Sequence, residues 1–182
     1  MTKKEMVETS KFMSLVLRHQ PQKIGIELEQ NGWADTSALI SGMNRAGYRV
    51  TLEDIKEVVT TNDKQRFKFN DDYTKIRANQ GHSVNVDVEL LESKPPDVLY
   101  HGTATRFIQA IKNDGLIPKS RLYVHLSKDV DTAVNVGSRH GKVAVLTIDS
   151  ARMYENGFRF YLSDNNVWLT KTVPAEYILQ FC

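Results

Sequence analysis

Apolar positions Met6, Val7, Met13, Val16 and Leu17 recur at the spacing of one helix face, which predicts a helix from about Lys4 to Leu17. Arg18-His19-Gln20-Pro21 ends it, because the residue before a proline is pushed out of the helical region. Ile24-Gly25-Ile26-Glu27-Leu28 alternates and predicts a short strand. Asp35-Thr36 can cap a second helix to about Asn44, and Thr51 with Asp54 starts a third that reaches about Thr60. Between them Gly47-Tyr48-Arg49-Val50 turns the chain. Arg66-Phe67-Lys68-Phe69 and Tyr73-Thr74-Lys75-Ile76-Arg77 then flank Asn70-Asp71-Asp72, a hairpin with polar turn residues. Helix, helix, turn, helix and hairpin is the order of a winged helix-turn-helix module.

The pattern changes after Ser93-Lys94-Pro95-Pro96-Asp97, where two prolines break both helix and ladder. Val98 to Thr103 predicts a buried strand running into a tight turn, and a helix follows from about Arg106 to Asn113, stopped by Gly115. Arg121 to Leu126 and Lys142 to Ile148 predict strands, with a helix from Asp129 to Val136 between them. Phe158 to Leu162, Val167 to Thr170 and Tyr177 to Leu179 add further strand. The expectation is an α+β chain of two lobes, residues 1–92 and a mostly β lobe over 93–182.

Composition narrows the setting. A chain of 182 residues with 41% hydrophobic and 25% charged residues can bury one good core or two small ones. The net charge is +2, and positive and negative side chains are nearly balanced on both sides of Lys94. A nucleic-acid partner would therefore be held by a local cluster of cations and not by a globally basic surface. The single cysteine, Cys182, excludes a disulfide framework and a cysteine-based zinc site. No apolar run approaches a membrane span, and Met1-Thr2-Lys3-Lys4-Glu5 lacks a signal-peptide core, so a reducing cytoplasm and a monomer are the expectations.

The candidate chemistry is cationic. Arg18-His19 and Arg139-His140 repeat one dipeptide, the first after a helix and the second inside Gly137-Ser138-Arg139-His140-Gly141. A guanidinium is a planar fork suited to phosphate, and histidine adds a titratable donor. Arg18 and His19 could equally complement a helix C-terminus, an explanation at least as good on the residues alone. His101-Gly102-Thr103 ends a strand with a small residue where backbone must approach something closely. In Val124-His125-Leu126-Ser127 the alternation places His125 and Ser127 on one face. Arg77-Ala78-Asn79-Gln80-Gly81-His82-Ser83 is a third polar cluster, with a solvated loop as its plain alternative. Neither GxGxxG after a strand, nor a Walker loop, nor HExxH, nor G-x-S-x-G is present, so phosphate chemistry here would be metal-free and rely on cations.

Ser10-Lys11-Phe12 with Leu15-Val16-Leu17-Arg18-His19, the 77–83 segment, Leu99-Tyr100-His101-Gly102-Thr103, Val124 to Ser127, Gly137 to Gly141 and Asn166-Val167-Trp168-Leu169-Thr170 run in one order along the chain. Together they resemble the RNA 2′-phosphotransferase (KptA) family over nearly the whole length. The resemblance implies a winged-helix RNA lobe, an ADP-ribosyltransferase-fold lobe, and NAD as co-substrate without a metal. It implies that an internal RNA 2′-phosphate, on a tRNA-like RNA, attacks the nicotinamide ribose of NAD and expels nicotinamide. The ribose 2″-hydroxyl then displaces the RNA 2′-hydroxyl, giving ADP-ribose 1″,2″-cyclic phosphate. It places the catalytic set on Arg18, His19, Arg66 and Arg139, with His19 transferring a proton in the second step. His101, Gly102, Thr103, His125 and Ser127 become NAD contacts, and Arg77, Gln80, Gly81 and His82 become RNA or phosphate contacts. His140 is left as a structural neighbour. Protein-modifying ADP-ribosyltransferases commonly grip the ribose with a glutamate; this chain has Asn165-Asn166-Val167-Trp168 there, with Glu176 nearby. The alternatives are a transferase that stops after ADP-ribosylating a phosphate end or a protein, and a non-catalytic RNA-binding protein.

Overall fold

The computed structural model describes residues 1–62, 64–86 and 90–181, an α+β chain that divides into two compact units, Met1–Glu89 and Leu90–Cys182. Cys182 itself lies outside the described residues. Among these residues no helix is long and apolar enough to cross a membrane.

The first unit opens with helix α1 (Lys3–Arg18), capped by Thr2 and Glu5 in a reciprocal box. Its buried stripe, Met13, Val16 and Leu17, seats in a core with Leu39 and Met43 of α2 (Thr36–Arg45) and Ile55 and Val58 of α3 (Leu52–Thr60). Asp35 caps α2 by accepting the Ala38 amide, and Thr51 with Asp54 boxes the start of α3, as the sequence predicts. The hairpin is β2 (Phe67–Phe69) with β3 (Lys75–Ala78), and β1 (Ala34–Asp35) pairs with the other edge of β3. Its turn is tied by Asn70, whose side chain accepts the Lys75 amide and donates to Thr74.

One predicted strand is absent. Pro21–Ile24 forms a 3₁₀ turn that Gly25 closes at φ 67°, and the chain from Gly25 to Leu28 runs without a strand partner. Ile24 and Ile26 are buried all the same, in the core shared with the three helices; Gly42 of α2 leaves room for the Ile24 carbonyl, which accepts from Arg45 Nη2 at 3.1 Å. Alternation records burial, and burial does not require a ladder.

The second unit is two antiparallel sheets. One has the order β10-β7-β5 (Ile178–Phe181, Val143–Asp149, Val98–Ala104), the other β4-β8-β9-β6 (Leu91–Glu92, Phe160–Leu162, Trp168–Thr170, Val124–Leu126). A bridge between Tyr100 and Ser127 joins β5 to the end of β6. Leu99, Leu146, Ile148, Phe160, Leu126 and Trp168 fill the core between them. Because β4 pairs with β8, Leu91 and Glu92 belong to this unit. Helices α4 (Ile108–Asp114) and α5 (Val130–Gly137) match their expected places, while α6 (Ser150–Glu155), a single short helix capped by Asp149, is not foreseen by periodicity.

Candidate functional site

In the first unit the end of α1 brings three sequence-predicted residues into one cluster. Arg18 is the last helical residue and is buried; its guanidinium lies over the Phe67 ring, 5.9 Å from the centroid, with a long 3.4 Å contact to the Arg66 carbonyl. His19 is the C-cap, where the carbonyl end of a helix favours a cation. Arg66 directly precedes β2 and donates to Asn62 Oδ1 at 3.1 Å, while Asn62 Nδ2 donates to Ser10 Oγ of α1 at 3.0 Å. Partial burial lowers the Arg66 pKa from the usual arginine range. Both arginines are thus aimed by fixed partners.

The segment after β3 closes over this cluster. Asn79 donates to the Gln65 carbonyl and its amide donates to the Arg66 carbonyl. Gly81 turns the chain at φ 87° beside the Arg18 guanidinium. The Ser83 and Val84 amides both donate to the Arg18 carbonyl, at 2.9 and 3.3 Å, and Ser83 Oγ lies 2.9 Å from His19 Nδ1. Arg77 goes elsewhere: its guanidinium sits over Trp33 at 4.7 Å and donates to the Asn31 carbonyl. The structure therefore shows Arg77 tethering a loop, still near enough to His82 to affect its charge.

His82 is buried, and its Nε2 has no hydrogen-bond partner among the described residues. Burial first, then the charges of Arg18, His19 and Arg77, push its pKa down to about 4. His82 is neutral in the folded state at neutral pH and can present an uncharged donor beside the arginines. The same shift makes the fold acid-labile. The ordinary value is 6.5 and the folded one about 4, so the unfolded chain binds the extra proton in that window and stability falls as pH drops through it. The full difference corresponds to roughly 3 kcal/mol. Urea unfolding of the wild type at pH 7 and pH 4.5 is expected to show most of that loss, and His82→Gln should lack this part of it.

In the second unit His101 on β5 holds the centre. Its Nδ1 lies 2.9 Å from the His125 carbonyl, which can only accept, so Nδ1 carries the proton. Burial lowers the His101 pKa, and Arg121 and then His140 add to the effect against the His125 hydrogen bond. The ring is neutral with Nε2 as an acceptor. His101 and Thr103 share one face of β5, and Gly102 faces the other way. What Gly102 admits is the backbone of α5: a Cβ there would overlap the Ala133 carbonyl, and Gly137 makes the reciprocal approach to Thr103. The structure thus gives Gly102 a packing role. Ser127 contributes its backbone to the Tyr100 bridge.

Arg139 is exposed in the 3₁₀ turn Ser138–His140. Arg121, expected from the sequence only as the start of a strand, is the guanidinium that bears most on His101, and desolvation lowers its own pKa. The strand itself starts three residues later, at Val124. The only sequence signal was an arginine just ahead of the His125 strand. In the 165–168 segment Trp168 is buried in the core, and Glu176 is exposed in the turn before β10.

The sequence profile of the family described as RNA 2′-phosphotransferase, Tpt1/KptA family, matches residues 4–172. Among curated proteins, the probable RNA 2′-phosphotransferase of Flavobacterium johnsoniae is 54% identical over 169 residues, covering 93% of each chain. Those of Hahella chejuensis and Acaryochloris marina are 53% and 52% identical, covering 96% and 94% of this chain and 94% of each relative.

Proposed function

The chain belongs to the RNA 2′-phosphotransferase, Tpt1/KptA family, and from that premise we propose that it removes an internal RNA 2′-phosphate by transfer to NAD in two steps. The observation that carries this reading is the first-unit cluster. The Arg18 guanidinium, in the residue before His19, is covered by the segment after β3 and stands near a neutral buried His82; Arg66 meets Arg18 through its carbonyl and offers a second guanidinium, held by Asn62. That set suits a phosphate whose nonbridging oxygens gain charge during displacement. His19 gives the proton that the departing RNA 2′-oxygen needs. Gln80 and Gly81 line the same segment.

In this reading the first unit is a winged-helix RNA lobe and the second an ADP-ribosyltransferase-like lobe. The second unit's donor set fits a dinucleotide: a neutral imidazole acceptor at His101 suits a ribose hydroxyl, and Arg121 suits a pyrophosphate. NAD supplies the electrophilic ribose carbon and, afterwards, the 2″-hydroxyl. Thr103, His125 and Ser127 accompany His101 as contacts. The partner is a tRNA-like RNA, and the enzyme works as a cytoplasmic monomer without a metal.

The resemblance put the second-unit cation on Arg139. We propose Arg121 for it, because Arg121 is the guanidinium whose charge bears on His101, and keep Arg139 as the competing assignment. Incubation with NAD and an RNA bearing one internal 2′-phosphate should yield 2′-hydroxyl RNA, nicotinamide and ADP-ribose 1″,2″-cyclic phosphate. A stable ADP-ribosylated RNA as final product would overturn the two-step reading. Arg121→Ala is expected to slow turnover about 100-fold, the scale for one lost charge-stabilising donor, and Arg139→Ala less than about tenfold by the same standard. The reverse order would return the role to Arg139.

A further inference from the structure

We propose that Ser83 is a positioning residue for His19: its hydroxyl accepts the Nδ1 proton and so assigns proton transfer at the RNA 2′-oxygen to Nε2. This rests on the role given to His19 above.

The geometry is specific. Ser83 is not a loop residue that happens to pass near a histidine. Its amide donates to the Arg18 carbonyl, the residue before His19, while its hydroxyl lies 2.9 Å from His19 Nδ1. Backbone and side chain therefore clasp the end of α1 at two adjacent residues. The clasp is delivered by a segment anchored on both sides. Asn79 and His82 are buried before it, and the Val84 amide joins Ser83 on the same Arg18 carbonyl after it. Movement of Ser83 relative to His19 would break the main-chain bonds together with the side-chain one.

The chemistry sets the direction of that bond. A histidine that gives up a proton from Nε2 starts as an imidazolium and must still hold its Nδ1 proton when the transfer is over. A histidine that accepts at Nε2 likewise needs Nδ1 protonated. In both cases the partner of Nδ1 has to accept, and a hydroxyl can do so. Histidines in proton transfer are often oriented by a carboxylate. Beside Arg18 and the phosphate that Arg18 is proposed to hold, a carboxylate would pair with the guanidinium and repel the substrate. A serine orients the ring and adds no charge. His82 lies near enough to His19 for the charge of His19 to act on it, and His82 is neutral at working pH.

The test uses the full chain with Ser83→Ala and Ser83→Thr, the second keeping a hydroxyl. Long-range proton–nitrogen NMR of the histidine rings, assigned by comparison with His19→Ala, reads the tautomer without reference to activity. Wild type and Ser83→Thr should show neutral His19 protonated on Nδ1, and Ser83→Ala should move toward protonation on Nε2. In turnover, Ser83→Ala should form 2′-hydroxyl RNA about 10- to 100-fold more slowly, the range for removing a group that orients a histidine. Nicotinamide release should fall less, the KM for NAD should not move, and ADP-ribosylated RNA should accumulate. Threonine should restore most of the rate. An unchanged tautomer in Ser83→Ala overturns the proposal, as does a loss that threonine does not restore. Full activity in His19→Ala would instead sink the assignment of His19, and the NMR result would still stand on its own.

Discussion

Replacing Arg18 with alanine is expected to slow formation of 2′-hydroxyl RNA about 1,000-fold, the upper range for losing one preorganised donor to a developing oxyanion. The reason is its fixed direction. Arg18 closes α1, lies over Phe67, and is covered by Gly81 of the segment after β3. A guanidinium so placed meets the phosphate without reorganising. Arg18→Lys separates the two parts of the effect. It keeps the charge but replaces the planar fork by a point charge, and should retain only a small fraction of the wild-type rate. Single-turnover rates with saturating NAD measure both. Because Arg18 is buried, thermal unfolding of each variant is the control; a folded Arg18→Ala enzyme with wild-type turnover would remove Arg18 from the phosphate site.

Gly102→Ala carries the largest expected cost to stability. A Cβ at this position would overlap the Ala133 carbonyl, and the Gly137 amide is also within reach. Both obstacles are backbone, so no side-chain rotation relieves them, and α5 must move off β5. Overpacking of this kind costs about 1–3 kcal/mol and sometimes more; with main chain as the obstacle the upper end, about 3 kcal/mol, is expected. Displacing α5 also disturbs the 3₁₀ turn that carries Arg139 and His140, which directly follows it. Urea unfolding should show the loss, and a Gly102→Ala protein as stable as wild type would mean that α5 sits less tightly than described. The sequence called for a close backbone approach at this glycine, and the main chain of α5 makes it.

Much of the fold was legible because short-range rules act where they were read. Thr51 with Asp54 and Asp35 before Thr36 are capping residues whose partners lie within three residues, so their effect needs no tertiary information. The polar turn of the β2–β3 hairpin was readable for the same reason. The alternation from Ile24 to Leu28 comes from burial of Ile24 and Ile26 in the helical core, which the local pattern cannot distinguish from a strand in a sheet. Strands β1 and β4, of two residues each, are too short to leave a periodic signal.

The site divides along the same line. Sequence by itself singled out Arg18, His19, His82, His101 and the family to which the chain belongs, because residue types and their order are local properties. Direction and protonation were decided by the tertiary structure. Arg77 and His82 stand in one motif, yet one stacks on Trp33 and the other is buried near Arg18 with its pKa held to about 4. His101 has its proton fixed on Nδ1 by a carbonyl 24 residues away, and His19 is met by a serine 64 residues away. Arg121 acquires meaning only from its nearness to His101. Hydrogen bonds and burial between distant residues set which atom carries a proton and which cation matters, and no spacing along the chain encodes them.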